Sequence, residues 1–164
     1  MIPPVPGDKI TLRCVQPEDR DFARWLYATT RRAEMAMLPW APELKETFLA
    51  QQFQAQWDDY WRRFAGGTHH IVEVDGRMAG RLFVDRREDE ILIVDITLAP
   101  EFRGGGLGTR LVETIQREAA TTGKSVIGHV ECNNRACSFW RKMGFAFTRS
   151  DGVYFEILWS AVPV

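Results

Sequence analysis

A cluster of glycines beside an arginine is the feature of this sequence that most strongly predicts a binding function. The residues of this loop are Arg103, Gly104, Gly105, Gly106, Leu107, Gly108 and Thr109. Because glycine has no side chain to block the backbone, consecutive N–H groups can turn toward one anionic ligand. At the start of a helix these groups also carry partial positive charge. The loop therefore predicts a pyrophosphate site, and the simpler alternative is a glycine-rich turn between a strand and a helix.

Two better-known phosphate-binding motifs do not fit. The dinucleotide-binding pattern G-x-G-x-x-G requires its last glycine where the chain has Thr109 or Leu111. The "GKS" at 123–125 resembles the end of a P-loop, yet Glu118 stands where that motif needs its first glycine. The pattern that fits is R-x-x-G-x-G over 103–108.

The elements that position this loop can be predicted from hydrophobic periodicity and turn residues. The apolar run 90–99 predicts a buried strand that leads into the loop, and 106–121 predicts the helix that follows it. The other predicted elements are a strand at 9–15, helices from Pro17 and Pro42, a hairpin around Asp75-Gly76, a strand at 125–131, a short helix ending at Gly144 and a hairpin over 150–152. Their order, β-α-α-β-β-β-α-β-α-β-β, indicates an α/β (α+β) fold with a mixed central sheet of about seven strands flanked by four helices.

Composition limits the class of protein. A chain of 164 residues suits one domain over 1–164. Its 21 Lys and Arg nearly balance 22 Asp and Glu without a basic stripe, which argues against a nucleic-acid partner. No apolar run is long enough to cross a membrane. The chain has no apolar leader and an odd number of cysteines, three, so reduced thiols and a cytoplasmic location are expected.

Three further groups of residues receive simple interpretations. Cys132 and Cys137 lie near a histidine but do not complete the four-ligand spacing of a zinc site, so no metal is expected. The histidines His69 and His70 begin a strand and are expected to be solvated. The aromatic face of the second helix is expected in the core, with an edge that could line a pocket; it comprises Trp57, Tyr60, Trp61 and Phe64.

The segment 91–145 resembles the core of the GCN5-related N-acetyltransferase (GNAT) superfamily. The R-x-x-G-x-G loop follows the fourth strand, as it does in that family, and the block Val130 to Phe145 is similar to the family's strand-Asn-helix-Gly-Phe element. The resemblance implies acetyl-coenzyme A as co-substrate and transfer of its acetyl group directly to a primary amine. It also implies that residues 104–109 hold the pyrophosphate of the cofactor, with Arg103 as a further cofactor-binding donor nearby.

The resemblance implies roles for further residues. The backbone of Ile96, Thr97 and Leu98 would lie beside the pantetheine arm, and one N–H would stabilise the oxyanion formed from the thioester carbonyl. Asn134, or Asn133 if the register shifts by one, would contact the pantetheine, although either residue could instead only cap the short helix.

Three side chains are candidates for the base that takes the amine proton. Asp95 interrupts an apolar strand, so it is either a base or acceptor-binding group or the structural partner of an arginine such as Arg81. His129 and Glu131 lie two residues apart, hence on one face of their strand, and the alternative for them is a solvated strand end.

Trp140 departs from the family pattern. Many members have a tyrosine at this position that protonates the departing thiolate, and an indole N–H cannot act as that acid. Either the thiolate leaves without protonation by the enzyme, or Tyr154 or water supplies the proton. We therefore interpret Trp140 as a packing wall beside the thioester.

The acceptor cannot be identified from the sequence. Aminoglycosides, polyamines, amino acids and protein N-termini all remain open. A longer acyl group and a non-catalytic acyl-coenzyme A sensor are the alternative functions. A homodimer is an expectation by analogy with this fold class.

Overall fold

The computed structural model describes residues 9–131 and 135–161. The strands in these ranges are β1 (Ile10–Cys14), β2 (Thr68–Val74), β3 (Arg77–Arg86), β4 (Glu90–Leu98), β5 (Ser125–Glu131), β6 (Ala146–Ser150) and β7 (Tyr154–Trp159). The α-helices are α1 (Arg20–Ala36), α2 (Pro42–Arg63), α3 (Leu107–Thr122) and α4 (Cys137–Lys142). Short 3₁₀ turns at Pro17–Asp19 and Pro100–Phe102 precede α1 and the glycine loop. The predicted order of elements is confirmed.

The strands form one mixed sheet in the described part of the chain, in the order β1-β2-β3-β4-β5-β7-β6. Strands β4 and β5 are parallel, and every other neighbouring pair is antiparallel. A parallel pair needs a crossover connection, which α3 provides. The predicted fold of about seven strands and four helices is confirmed.

The two faces of the sheet are covered by different helices. On one face α3 and α4 enclose the main core, in which Leu107, Val112 and Trp140 pack with strand residues such as Val126. On the other face the aromatic side of α2 packs against the sheet, but it is less buried than expected, because Trp61 is 42 % exposed and Trp57, Tyr60 and Phe64 are half-buried. Trp57 and Trp61 both contact the ring of His69, at centroid distances of 5.8 and 5.7 Å.

The expectation that His69 is solvated is wrong. Its side chain is 5 % exposed and stacks on Phe83 at 4.8 Å. Among the described residues neither ring nitrogen has a hydrogen-bond partner. Burial lowers the pKa of His69 to about 4, with the cationic Arg81 as a smaller cause, so the ring is neutral near pH 7. The aromatic face of α2, distant in sequence, encloses this strand position.

Strands β4 and β5 pair only along the first part of their length. Their register runs from Glu90 opposite Ser125 to Ile93 opposite Gly128. A β-bulge follows in β4. Ile93 pairs with Val84 and Asp95 pairs with Phe83, which are adjacent in β3, so Val94 is the extra residue. Beyond the bulge β4 continues with β3 alone, while β5 continues with β7. The C-terminal ends of the two parallel strands therefore diverge, and we call the space between them the β4–β5 opening.

No helix in the described ranges is long and apolar enough to cross a membrane.

Candidate functional site

The glycine loop has the backbone that a ligand-binding loop requires. Gly104 and Gly106 have φ angles of 78° and 87°, in the left-handed region that residues with a side chain rarely adopt. A Cβ atom added at either position would meet no heavy atom of the described residues within 4 Å. Gly106 is also the N-cap residue of α3. The start of a 16-residue helix thus lies beside open space, which fits the expected pyrophosphate.

The end of β4 lies directly beside this loop. A Cβ atom added at Gly108 would be 3.7 Å from Leu98 and 3.7 Å from the ring of Phe139. The three residues expected beside the pantetheine arm, Ile96, Thr97 and Leu98, pair with β3 and are half-buried. No pairing with β5 occurs at these positions, so one backbone edge of β4 faces the β4–β5 opening.

Arg103 is directed toward the protein. Its Nε donates a hydrogen bond to the Leu98 carbonyl at 2.9 Å, and its Nη2 donates to the Thr29 hydroxyl of α1 at 3.0 Å. Burial lowers the pKa of this guanidinium, and the nearby charge of Arg32 contributes. Two of the three guanidinium nitrogens are therefore engaged by β4 and α1, which the sequence did not indicate.

Asp95 lies in a polar cluster beneath α2. Oδ2 accepts hydrogen bonds from Nη2 of Arg81 at 2.8 Å and from the hydroxyl of Tyr60 at 3.2 Å, and Oδ1 accepts one from Thr97 at 2.7 Å. Burial raises the pKa of Tyr60, with the charge of Asp95 as a further cause, so the phenol stays protonated and donates. The pairing with Arg81 is one of the two interpretations that the sequence left open, and a catalytic role for Asp95 stays a prediction.

Glu131 and His129 lie at the end of β5, on the same side of the sheet as Asp95. Glu131 is 3.3 Å from Nη2 of Arg31 on α1, while Asp95 contacts α2, and these two helices pack together. His129 is exposed and lies opposite Glu156 of β7. Alternation along the strand puts it on the face of Glu131.

Trp140 is a core residue. Its side chain is 7 % exposed and contacts Phe139 and Phe145 edge to face, at centroid distances of 5.1 and 5.0 Å. This packing agrees with the interpretation as a wall, and its place beside a thioester stays a prediction. Asn133 and Asn134 lie outside the described residues, as does Cys132.

For three residues near the site, the sequence alone indicates no functional role. The sequence pattern places Tyr60 among the core aromatic residues of α2, and its hydroxyl, a polar atom in an apolar helix face, is the signal for a different role. Thr29 and Arg31 belong to no motif, and only the fold brings them to the ends of β4 and β5.

Solved structures of several acetyltransferases have a fold similar to that of this chain. Solved structures with a similar fold include the PaiA N-acetyltransferase of Thermoplasma acidophilum in complex with coenzyme A, with 17 % identity and a TM-score of 0.68 over 93 % of this chain and 99 % of that one. An acetyltransferase of Thermus thermophilus has 15 % identity and a TM-score of 0.65 over 93 % and 97 %. The N-acetyltransferase PseH of Campylobacter jejuni, in complex with acetyl coenzyme A, has 11 % identity and a TM-score of 0.58 over 94 % and 100 %.

No curated protein sequence is significantly similar to the chain. The family model described as the acetyltransferase (GNAT) family matches residues 31–145, which include β4, the glycine loop, α3 and α4. The match covers most of the chain, so this protein belongs to the GNAT acetyltransferase family.

Proposed function

We propose that the chain transfers the acetyl group of acetyl-coenzyme A directly to a primary amine. The observation that carries this proposal is the β4–β5 opening, which ends beside a glycine loop with open space above it. The solved relatives that contain coenzyme A or acetyl coenzyme A support a coenzyme A thioester as the donor.

The chain contributes binding and orientation. Residues 104–109 would hold the pyrophosphate through backbone N–H groups at the start of α3. The edge of β4 that faces the β4–β5 opening, at Ile96, Thr97 and Leu98, would hold the pantetheine arm and stabilise negative charge on the thioester oxygen. Asn134 would complete the contacts to the pantetheine, and Trp140 would form the wall of the site.

The reaction exchanges one bond for another at the acyl carbon. The amine nitrogen forms the new C–N bond, the C–S bond breaks, and the sulfur leaves as a thiolate. A thiol has a pKa of about 8.5, so its thiolate is an adequate leaving group without an acid at Trp140. The amine proton passes to a base, for which Asp95, His129 and Glu131 are the candidates.

A thiol-release assay tests the function. The protein is incubated with acetyl-coenzyme A and a panel of amines that contains aminoglycosides, polyamines, amino acids and peptides. Calorimetric titration with coenzyme A is run in parallel. We expect tight coenzyme A binding and amine-dependent release of thiol. Binding without release for any amine would indicate the acyl-coenzyme A sensor, and faster release from propionyl- or butyryl-coenzyme A would indicate a longer acyl group.

Conservative variants then identify the base. Asp95→Asn, His129→Gln and Glu131→Gln each remove basicity and keep approximate size. We expect one of them to lose about 10²-fold or more in kcat/KM together with the acid limb of the pH profile, with coenzyme A affinity unchanged. If all three keep the shape of the profile, the base is not among them. The proposal also includes a cytoplasmic location and a homodimer. Sedimentation of the full chain tests for the homodimer.

A further inference from the structure

Helix α1 is linked to the last residues of both strands that border the β4–β5 opening, to β4 through Arg103 and to β5 directly. On the β4 side, Arg103 donates both to the Thr29 hydroxyl and to the Leu98 carbonyl. On the β5 side, Arg31 lies 3.3 Å from a carboxylate oxygen of Glu131. Leu98 ends β4 and Glu131 ends β5. Because Thr29 and Arg31 are only two residues apart, one short stretch of α1 is connected to both strand ends.

The connection to β4 joins a buried hydroxyl, that of Thr29, to the exposed Arg103 and the half-buried Leu98. Thr29 is 7 % exposed, and its hydroxyl donates to the Leu26 carbonyl at 2.7 Å. The lone pairs of the same oxygen therefore remain to accept from Arg103. Loss of this acceptor would leave a partly desolvated guanidinium N–H without a partner, which costs more than loss of an exposed hydrogen bond.

The connection to β5 is an ion pair that is only partly exposed. The Arg31 side chain is 28 % exposed, and its guanidinium lies over the ring of Tyr27, 5.4 Å from the centroid. Glu34 on the same helix is a second partner at 3.3 Å. The ring of Tyr27 is buried against α2, so it supports the guanidinium from a fixed position.

The sheet itself does not join the two strands at this level. Their pairing ends at Ile93 and Gly128, several residues before Leu98 and Glu131. Helix α1 therefore connects the strand ends where the hydrogen bonds of the sheet do not. We propose that Thr29 and Arg31 are positioning residues, which act through Arg103 and Glu131 to fix the width of the β4–β5 opening before coenzyme A binds.

Such pre-organisation improves affinity, because the protein does not have to order the opening when the ligand arrives. The inference rests on the proposed function in one respect, that the opening receives the coenzyme A arm. It does not depend on which residue is the base.

Calorimetric titration with coenzyme A tests the inference on the full chain. We expect Thr29→Val, which keeps the shape and removes the hydroxyl, and Arg31→Met each to weaken binding by about threefold to tenfold. The loss of coenzyme A affinity in the double variant should be much smaller than the product of the two single-variant losses. Removal of either connection alone already leaves the width of the opening unfixed. Thr29→Ser should restore the affinity of the parent protein.

The chain offers matched controls. Thr30 donates to the Tyr27 carbonyl at 2.7 Å just as Thr29 donates to Leu26, but it has no contact with Arg103, so Thr30→Val should bind within about twofold of the parent. Glu34→Gln changes the other partner of Arg31 and should also stay within about twofold.

Four results would overturn the inference: Thr29→Val binds like Thr30→Val, Arg31→Met binds like Glu34→Gln, Thr29→Ser fails to restore affinity, or the two losses multiply in the double variant. If Thr29→Val does not fold, as judged by circular dichroism, Thr29→Ala replaces it. Failure of the parent protein to bind coenzyme A would instead contradict the proposed function.

Discussion

The Arg81 guanidinium is 1 % exposed and donates a 2.8 Å hydrogen bond to Asp95 across two adjacent strands. Its Nη2 also donates to Gln56 of α2, while its Nε and Nη1 have no hydrogen-bond partner in the part of the chain that the structure describes. Either member of a buried ion pair is far less favourable without its partner, because its desolvation is no longer offset by the opposite charge.

The first prediction concerns the stability supplied by this pair. Arg81→Met leaves Asp95 without its cation and should lower the free energy of unfolding by about 3–5 kcal/mol. Urea denaturation measures the change. The control is Arg87→Met. Arg87 is 43 % exposed in its ion pairs with Asp85 and Glu90, so its replacement should lower the free energy of unfolding by less than about 1 kcal/mol. Equal losses in the two variants would contradict a special role for the buried pair.

The second prediction concerns the glycine loop. Gly106→Ala adds a Cβ to the open space beside the start of α3, so it should weaken coenzyme A binding by at least about tenfold. Gly123→Ala is the matched control, because Gly123 at the other end of α3 also has a positive φ, 70°, with no heavy atom within 4 Å of the added Cβ. Both variants carry similar backbone strain, of about 1–2 kcal/mol. If Gly106→Ala binds coenzyme A as well as Gly123→Ala does, the pyrophosphate assignment is wrong.

The third prediction is a pH dependence of stability that originates at His69. Its pKa is about 4 in the folded protein and 6.5 ordinarily, so the unfolded chain binds the proton more readily. This contribution to stability is present above pH 6.5 and is lost as the pH falls toward 4, by about 3 kcal/mol in total. Urea denaturation at pH 7 and at pH 5 measures the change. Between these two pH values the free energy of unfolding should decrease less for His69→Phe than for the parent protein. His129→Gln, at an exposed position, is the control and should keep the parent decrease in the free energy of unfolding. A parent-like decrease in His69→Phe would locate the effect elsewhere.

The fourth prediction concerns Trp140. Trp140→Phe should keep turnover within about tenfold, because the indole is not an acid. The loss of buried indole atoms should lower the unfolding free energy by about 1–3 kcal/mol. Activity is compared at a temperature where both proteins are folded. A decrease of two or more orders of magnitude in kcat, with normal coenzyme A affinity, would show that the indole N–H is needed in the transition state.

The fold and the glycine loop could be predicted because their signals are local. Helical periodicity, the turn at Asp75-Gly76 and the spacing of glycines after a buried strand each lie within a few adjacent residues. The carboxylate of Asp95 in an apolar strand also required a partner, so the pair with Arg81 could be named as an alternative.

Other contacts depend on residues that only the fold brings together. Arg103 and Thr29 are separated by 74 residues, and neither shows a pattern that indicates the other. His69 was predicted wrongly for the same reason, because the polar ring is enclosed by an aromatic helix face whose position no local pattern gives.

The short register between β4 and β5 also divides the sheet along the chain. One half, β1 to β4, comes entirely from residues before α3, and the other, β5 to β7, from residues after it. Within each half every strand pair is antiparallel, and the four-residue parallel register joins them. In folding terms the halves are two candidate cooperative units, each of which forms from contacts within its own part of the chain. We expect their docking along that register to be the late step of folding, and a ligand that bridges them to slow their separation.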